Sequence, residues 1–253
     1  MQKAFKIVVI VTFIVFGIIF VSRYSYAQKF QISLDGYNGS VMGDFKENDL
    51  NNSSAGFSSL GYGSALEFRY YFEKGWGLSG RWSYMGYTRD VDAYKDALEN
   101  KLNINDDNNA MIVPYDFSSI GFHAGFSYPF ILSEKFQFEP YMYIGFKALV
   151  SPAEKVVYYQ NSETKTYSKS HGFYAGFSYI PGMHIQWNIT KYFGLKFFFE
   201  YEGAAFSTYE EDAVNYTATA FAKETIERQY NPQTLNYGLG LVFNFGKGVK
   251  DDK

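Results

Sequence analysis

The sequence contains no cysteine, which removes disulfide scaffolds, thiolate nucleophiles and Cys-based zinc sites. Histidine occurs only 3 times, so imidazole-based catalysis has few positions to occupy. A basic excess is missing as well: Lys and Arg number 23 against 26 Asp and Glu, which gives no electrostatic case for binding nucleic acid. Proline is sparse too, with 6 residues against 24 Tyr and 26 Phe. That aromatic excess suits strands that face lipid between two interfacial belts, where a ring offers an apolar body and, in Tyr or Trp, a polar tip. The mean hydropathy of −0.24 is compatible with this, because only alternate residues of such strands touch lipid.

At the N-terminus, Lys3 and Lys6 precede an uncharged apolar run from Ile7 to Val21, and Ser25-Tyr26-Ala27 follows. A basic start, a short apolar core and small residues at the cleavage positions read as a signal peptide over residues 1–27. The run is too short for a spanning helix of about 20 residues. Removing Lys3, Lys6 and Arg23 with it leaves 20 basic side chains against 26 acidic ones.

From Phe173 to Ile189 the odd positions read Phe173, Ala175, Phe177, Tyr179, Pro181, Met183, Ile185, Trp187, Ile189, and the even positions are mostly small or polar. Residues two apart share a face only in a strand. Globular strands usually run roughly 5–6 residues, whereas about 9–11 tilted residues cross a bilayer. The same periodicity predicts eight strands near 29–43, 60–72, 76–88, 115–130, 136–151, 171–189, 192–208 and 235–245. Short turns around 73–75, 131–135 and 190–191 alternate with long polar stretches near 44–59, 89–114, 152–170 and 209–234. The predicted fold is therefore all-β, an eight-stranded antiparallel up-and-down transmembrane β-barrel over 28–245, with short periplasmic turns, long extracellular loops and both termini periplasmic. Residues 246–253 form a short polar C-terminal tail.

Aromatic residues flank the short turns and predict the periplasmic girdle: Tyr70, Tyr71, Phe72 and Trp76; Tyr128, Phe130, Phe136 and Phe138; Trp187, Tyr192 and Phe193; then Phe30, Phe243 and Phe245. Tyr62, Tyr84, Tyr115, Phe146, Phe173 and Phe206 are assigned to the outer belt. Signal peptide, eight alternating strands, three tight turns and four long loops together make the chain resemble the small outer-membrane barrels of Gram-negative bacteria, the group of outer-membrane protein X and the outer-membrane protein A barrel domain. The strand Leu235, Tyr237, Leu239, Leu241, Phe243, Phe245 is similar to the aromatic-ended signal that outer-membrane assembly machinery reads in such proteins. That signal normally ends the chain, whereas Gly246 to Lys253 follow it here. The Glu-, Lys- and Tyr-rich composition with a short extension is similar to small barrels of Bacteroidota. The resemblance implies a location in the bacterial outer membrane among lipid and lipopolysaccharide.

Alternation does not say which face points outwards, and in a lipocalin-like barrel the apolar face would line a cavity. Here the second face is rich in small residues, such as Gly121, Gly125, Gly172, Gly176, Gly238 and Gly240, which suits a tight lumen. Replacing Gly238 by Ser is accordingly expected to cost little. The lumen then holds Asp35, Glu67, Arg69, Arg81, His123, Glu139, Lys147, His184, Lys196, Glu200 and Glu202. Five acids against four fixed bases nearly cancel, as buried charges must, and predict a structural ion-pair plug rather than a conducting path.

Enzymatic readings centre on His171 beside Ser168 and Ser170 at the extracellular rim. The order Ser-Lys-Ser-His departs from the His-x-Ser-Asn pattern of lipid A deacylase barrels, and a hydrogen-bonded rim histidine is the plainer reading. In the second long loop Val91, Tyr94, Leu98 and Leu102 recur at helical spacing. In the third, Val156 to Gln160 and Thr164 to Tyr167 read as a hairpin. Asp106-Asp107-Asn108-Asn109 offers hard oxygen donors without the spacing or glycine of a calcium loop. No cofactor and no catalytic residue is assigned. The expected protein is a non-enzymatic surface barrel whose loops meet an extracellular ligand or host surface; a rim hydrolase or acyltransferase and a narrow solute channel are the alternatives.

Overall fold

The computed structural model describes residues 29–72, 75–102, 111–113, 116–160, 163–216 and 221–245. The signal peptide, the tail after Phe245, Tyr115 and the Asp106 to Asn109 run lie outside them. Eight long strands carry the barrel: β1 (Lys29–Met42), β2 (Ser58–Tyr71), β3 (Gly77–Arg89), β5 (Phe117–Ser127), β7 (Phe136–Ser151), β10 (Gly172–Asn188), β11 (Phe193–Phe206) and β14 (Gln233–Phe245). Each pairs antiparallel with the next, β14 pairs β1 from Phe30↔Phe245 to Met42↔Gln233, and β7 pairs β10, so the ring closes without an edge. Closure gives each barrel strand a hydrogen-bonded neighbour on both sides within the protein, the condition for crossing a hydrocarbon layer with strands.

The two faces are inverted relative to a soluble protein. Outward residues are large and apolar, with Phe146 73%, Leu239 67% and Phe126 62% exposed, whereas Glu67, Arg81, Glu139 and Glu200 are buried. Such a belt around a polar interior is stable only against lipid. Among the described residues no helix is long and apolar enough to cross a membrane; the crossing elements are strands.

The short turns gather the lower aromatics. Phe72 N–H donates to the Trp76 carbonyl at 2.8 Å, and Gly75 takes a positive φ of 86° that closes the turn at no steric cost. Trp76 packs edge-on against Tyr128 at 5.2 Å, Tyr128 against Phe130 at 5.1 Å, Phe136 stacks on Trp187 at 6.2 Å and Phe193 meets Phe243 at 5.7 Å. At the opposite end Tyr62, Tyr84 and Phe173 are exposed, joined by Tyr179 and Tyr237. Phe206 is not part of that belt. On β11 the odd positions face out and the even ones in, which turns Phe206 into the core, where it is buried. Tyr71 likewise points inwards, one residue out of phase with Tyr70 and Phe72.

Gly238 departs from expectation too. A Cβ there would meet the Gly36 carbonyl, lie 2.6 Å from Tyr37 Cβ and 2.7 Å from Phe198 Cζ. We therefore expect Gly238→Ser to destabilise by about 1–3 kcal/mol, the usual cost of overpacking, rather than to be silent. Leu239→Arg, on the neighbouring outward position, should cost about 2–4 kcal/mol if it lies near the midplane. Urea unfolding in lipid vesicles measures both, and a silent Leu239→Arg would mean that this face does not meet lipid.

Beyond the upper belt the chain builds a second layer. It comprises α1 (Val91–Leu102), β4 (Met111–Val113), the hairpin β8 (Glu154–Gln160) and β9 (Glu163–Lys169), and the hairpin β12 (Tyr209–Tyr216) and β13 (Phe221–Arg228). These strands form one sheet in the order β13-β12-β9-β8-β4. A two-residue strand β6 (Phe130–Ile131) augments the second short turn.

Candidate functional site

Strand parity places the inward charges, and the closed ring brings them together. Arg81 on β3 reaches across to Glu200 on β11 with two parallel bonds, Nη1–Oε2 2.6 Å and Nη2–Oε1 2.8 Å. Glu200 also accepts from Tyr141 at 2.8 Å and from Asn236 at 3.3 Å. Arg69 pairs with Glu67 and lies 2.9 Å from Glu139. Glu139 accepts from Tyr71 at 2.7 Å and sits 3.4 Å from His184 Nε2. Lys196 bridges Asp35 at 3.0 Å and Glu67 at 3.2 Å, and Lys147 meets Glu202 at 2.6 Å. His123 Nε2 lies 2.6 Å from the Ser178 hydroxyl. Every one of these side chains is buried. The space between Gln31, Ser33, Glu67, Arg69, Gln186 and Lys196 has no room for a water molecule.

Above this network an aromatic cap fills the barrel mouth. Phe45, from a short 3₁₀ turn at Gly43–Lys46 that follows β1, is fully buried. Its ring lies edge-on to Tyr87 at 5.3 Å, Phe117 at 5.1 Å and Tyr230 at 5.7 Å, and Tyr174 packs on Tyr230 at 5.0 Å. Edge-to-face rings at these distances add attraction beyond the area they bury. Phe45 and Tyr230 were not singled out by periodicity because both come from long connections. Tyr87, Phe117 and Tyr174 do carry a signal, since each continues the inward parity of its strand.

The outer layer closes over the cap. Tyr94 and Leu98 on α1 pack with Phe57, Val156 and Tyr167 in an apolar cluster. Phe57 holds a left-handed φ of 54° that is strained for a non-glycine residue; its ring edge-on to Tyr94 at 5.1 Å and the Asp90 N–H donating to its carbonyl at 2.6 Å hold it there. At the centre Glu154 accepts from Arg89 at 2.6 Å and from the Tyr94 hydroxyl, with Lys169 at 3.4 Å. Arg89 stacks over the Tyr94 ring at 4.1 Å. The ion pair joins β3 to the first residue of β8, a link that spacing alone did not reveal although Arg89 extends the inward parity of Arg81.

Burial would raise the Glu154 carboxyl, but the Lys169 and Arg89 charges beside it outweigh that and hold it at about 2 against an ordinary 4.5. A carboxylate depressed in the folded state stabilises fully above its unfolded value and loses that contribution as pH falls from about 4.5 towards 2. Urea midpoints taken across that window should therefore fall more steeply for the wild type than for Glu154→Gln; parallel profiles would show that the ion pair does not stabilise the layer.

The rim histidine is engaged elsewhere than in a nucleophile pair. His171 is exposed and its Nδ1 accepts the Ala153 N–H at 3.1 Å, while the Ser170 N–H donates to the Asp212 carbonyl. Among the described residues no group of three His, Asp or Glu side chains is placed to hold a metal ion.

No family model and no curated protein matches the chain. Solved structures that do include the attachment invasion locus protein Ail of Yersinia pestis, at 13% identity over 87% of this chain and 99% of that one with a TM-score of 0.40. A major outer membrane protein of Thermus thermophilus matches at 11% identity over 87% and 100%, with a TM-score of 0.47. The Escherichia coli outer membrane protease OmpT matches at 9% identity over 88% and 99%, with a TM-score of 0.43. The likeness is one of architecture, and the functional reading rests on this chain's own residues.

Proposed function

We propose that the protein is a non-enzymatic barrel of the bacterial outer membrane whose extracellular layer carries a surface or envelope-integrity role. The observation that carries this reading is the division of the molecule: a lumen packed with paired charges and capped by Phe45, beneath an ordered helix-and-sheet layer standing clear of the lipid belt. A filled lumen offers no solute path, so chemistry with the outside falls to the layer. The signal peptide, the closing strand Leu235 to Phe245 as the element offered to the assembly machinery, and periplasmic termini belong to the same proposal, as do lipopolysaccharide neighbours and an extracellular ligand or host surface as partner. The charges Glu67, Arg69, Arg81, Glu139, Lys147, Lys196, Glu200 and Glu202 are the structural plug. Tyr70, Phe72, Trp76, Tyr128, Phe130, Trp187, Phe193, Phe243 and Phe245 are the periplasmic girdle.

The test compares cells carrying the full chain with cells whose hairpins β8–β9 and β12–β13 are replaced by short turns. The shortened barrel should still fold, shown by a heat-modifiable gel band, and lose surface binding or detergent resistance, with envelope lipid composition the same in both. A change in lipid acylation that follows the full chain would instead favour the rim hydrolase or acyltransferase.

A further inference from the structure

The segment Gly43–Phe57 forms a strap that leaves the end of β1, sets Phe45 into the barrel mouth and returns to β2. Its backbone is left-handed at both ends, at Gly43 with φ 66° and at Phe57 with φ 54°. Glycine adopts that conformation freely, whereas Phe57 is strained in it and relaxes once the strap lifts. In between, the strap is tied to the connection before β14: Arg228 donates to the Asn52 carbonyl at 3.1 Å and the Gln229 N–H to the Ser53 carbonyl at 3.2 Å. The rings around Phe45 belong to other elements, Tyr87 to β3, Phe117 to β5 and Tyr230 to that connection, so they stay where they are when Phe45 withdraws. Gly56 lies against the Phe45 ring so closely that a Cβ there would run into it, and the Gly56 N–H donates to the Phe45 carbonyl at 3.0 Å; the strap is shaped to close down on this one side chain. Beneath it the paired charges still fill the lumen. Withdrawal therefore opens a ring-sized slot towards the outside and not a path through the barrel.

We propose that Phe45 is an internal stand-in for a ligand: the aromatic slot binds a benzyl or phenol ring carried by a small extracellular solute, and the strap, hinged at Gly43 and Phe57, exchanges Phe45 for that ring. An incoming ring regains the edge-on contacts that Phe45 gives up. Lifting the strap also releases the strain at Phe57, which brings the two states close enough for a ligand to choose between them. The inference rests on the reading of the outer end as the part that meets extracellular ligands, and it gives those ligands a chemical class.

The probe is N-acetyl-L-phenylalaninamide, with N-acetyl-L-alaninamide as control, titrated by isothermal calorimetry into the full chain in uncharged detergent micelles. The chain has no cysteine, and Ser53 and Gln229 are both exposed, so Ser53→Cys with Gln229→Cys can be oxidised to pin the strap and reduced to free it. Saturable binding of the aromatic probe is expected for the wild type and for the reduced variant, and none for the oxidised variant or for the alanine control. Phe45→Ala, which removes the competitor, should bind about tenfold tighter, because an open state populated at about 10% lowers the apparent affinity by that fraction. Saturating probe should also speed hydrogen exchange at the Gly56 and Gln229 amides, which the closed strap engages; a fixed cap would leave both unchanged. Absence of saturable binding to the wild type, or equal binding by the oxidised and reduced forms, would overturn the proposal, and either result is read without Phe45→Ala should that variant fail to fold. Ring binding by the purified protein with no surface phenotype in cells would uphold the slot and remove only the functional reading.

Discussion

Replacing Arg81 by alanine should lower the stability of the folded barrel by about 3–5 kcal/mol, because it leaves Glu200 buried beside its partner's empty place. The carboxylate would keep Tyr141 and Asn236 as donors, so the loss should fall towards the lower end of that range. Arg81→Ala with Glu200→Ala should cost less than the two single changes added, since each single change already breaks the same two-bond contact. Arg81→Met with Glu200→Leu should recover much of the loss, because a buried pair exchanged whole for apolar side chains is often neutral. Urea midpoints in lipid vesicles read all four proteins. Strict additivity would show that the pair does not act as a unit.

Phe45→Ala is expected to be as severe, about 3–5 kcal/mol, from the lost burial and the cavity left behind. The ring is fully buried against Tyr87, Phe117 and Tyr230, and those rings belong to β3, β5 and the connection before β14, so collapse into the space would have to move three separate elements. The damage should concentrate above the membrane: hydrogen exchange should rise in the outer hairpins while the strand segments between the aromatic belts stay protected. A Phe45→Ala protein as stable as the wild type would mean that the cap is not what ties the outer layer to the barrel.

The parts of this molecule that were legible in the sequence are those where lipid imposes a period of two. All eight barrel strands declare themselves through residues such as Phe173 to Trp187, because one face must be apolar over the full thickness of the bilayer and the other must not. The inward charges follow from the same parity, as does the inward turn of Phe206, which a strict count from Phe193 would have placed in the core. Legibility stops where lipid stops. The hairpin β12–β13 reads as a loop because no slab enforces alternation there: Glu210 and Asp212 are exposed two apart, Ala213 is buried, and Val214 beside it is only half-buried. α1 and the hairpin β8–β9 did show through, since Tyr94, Leu98 and Val156 still need an apolar cluster to bury in. The cross-barrel pairs were beyond reach, because which acid meets which base depends on the stagger of strands around the ring, and single-strand patterns do not carry it. The same holds for Gly238, whose crowding comes from Gly36 and Tyr37 on β1 and from Phe198 on β11.

The central claim is that the lumen is sealed by its own paired charges and the cap above them. Planar-bilayer current through the purified wild-type protein tests it most directly, in 1 M salt and over both signs of voltage. The account predicts no stable single-channel steps, for the wild type or for Arg81→Ala, whose remaining charges and cap still fill the barrel. Reproducible conductance steps in the wild type, rising when Arg81 is removed, would contradict it and make the charge network the gate of a channel.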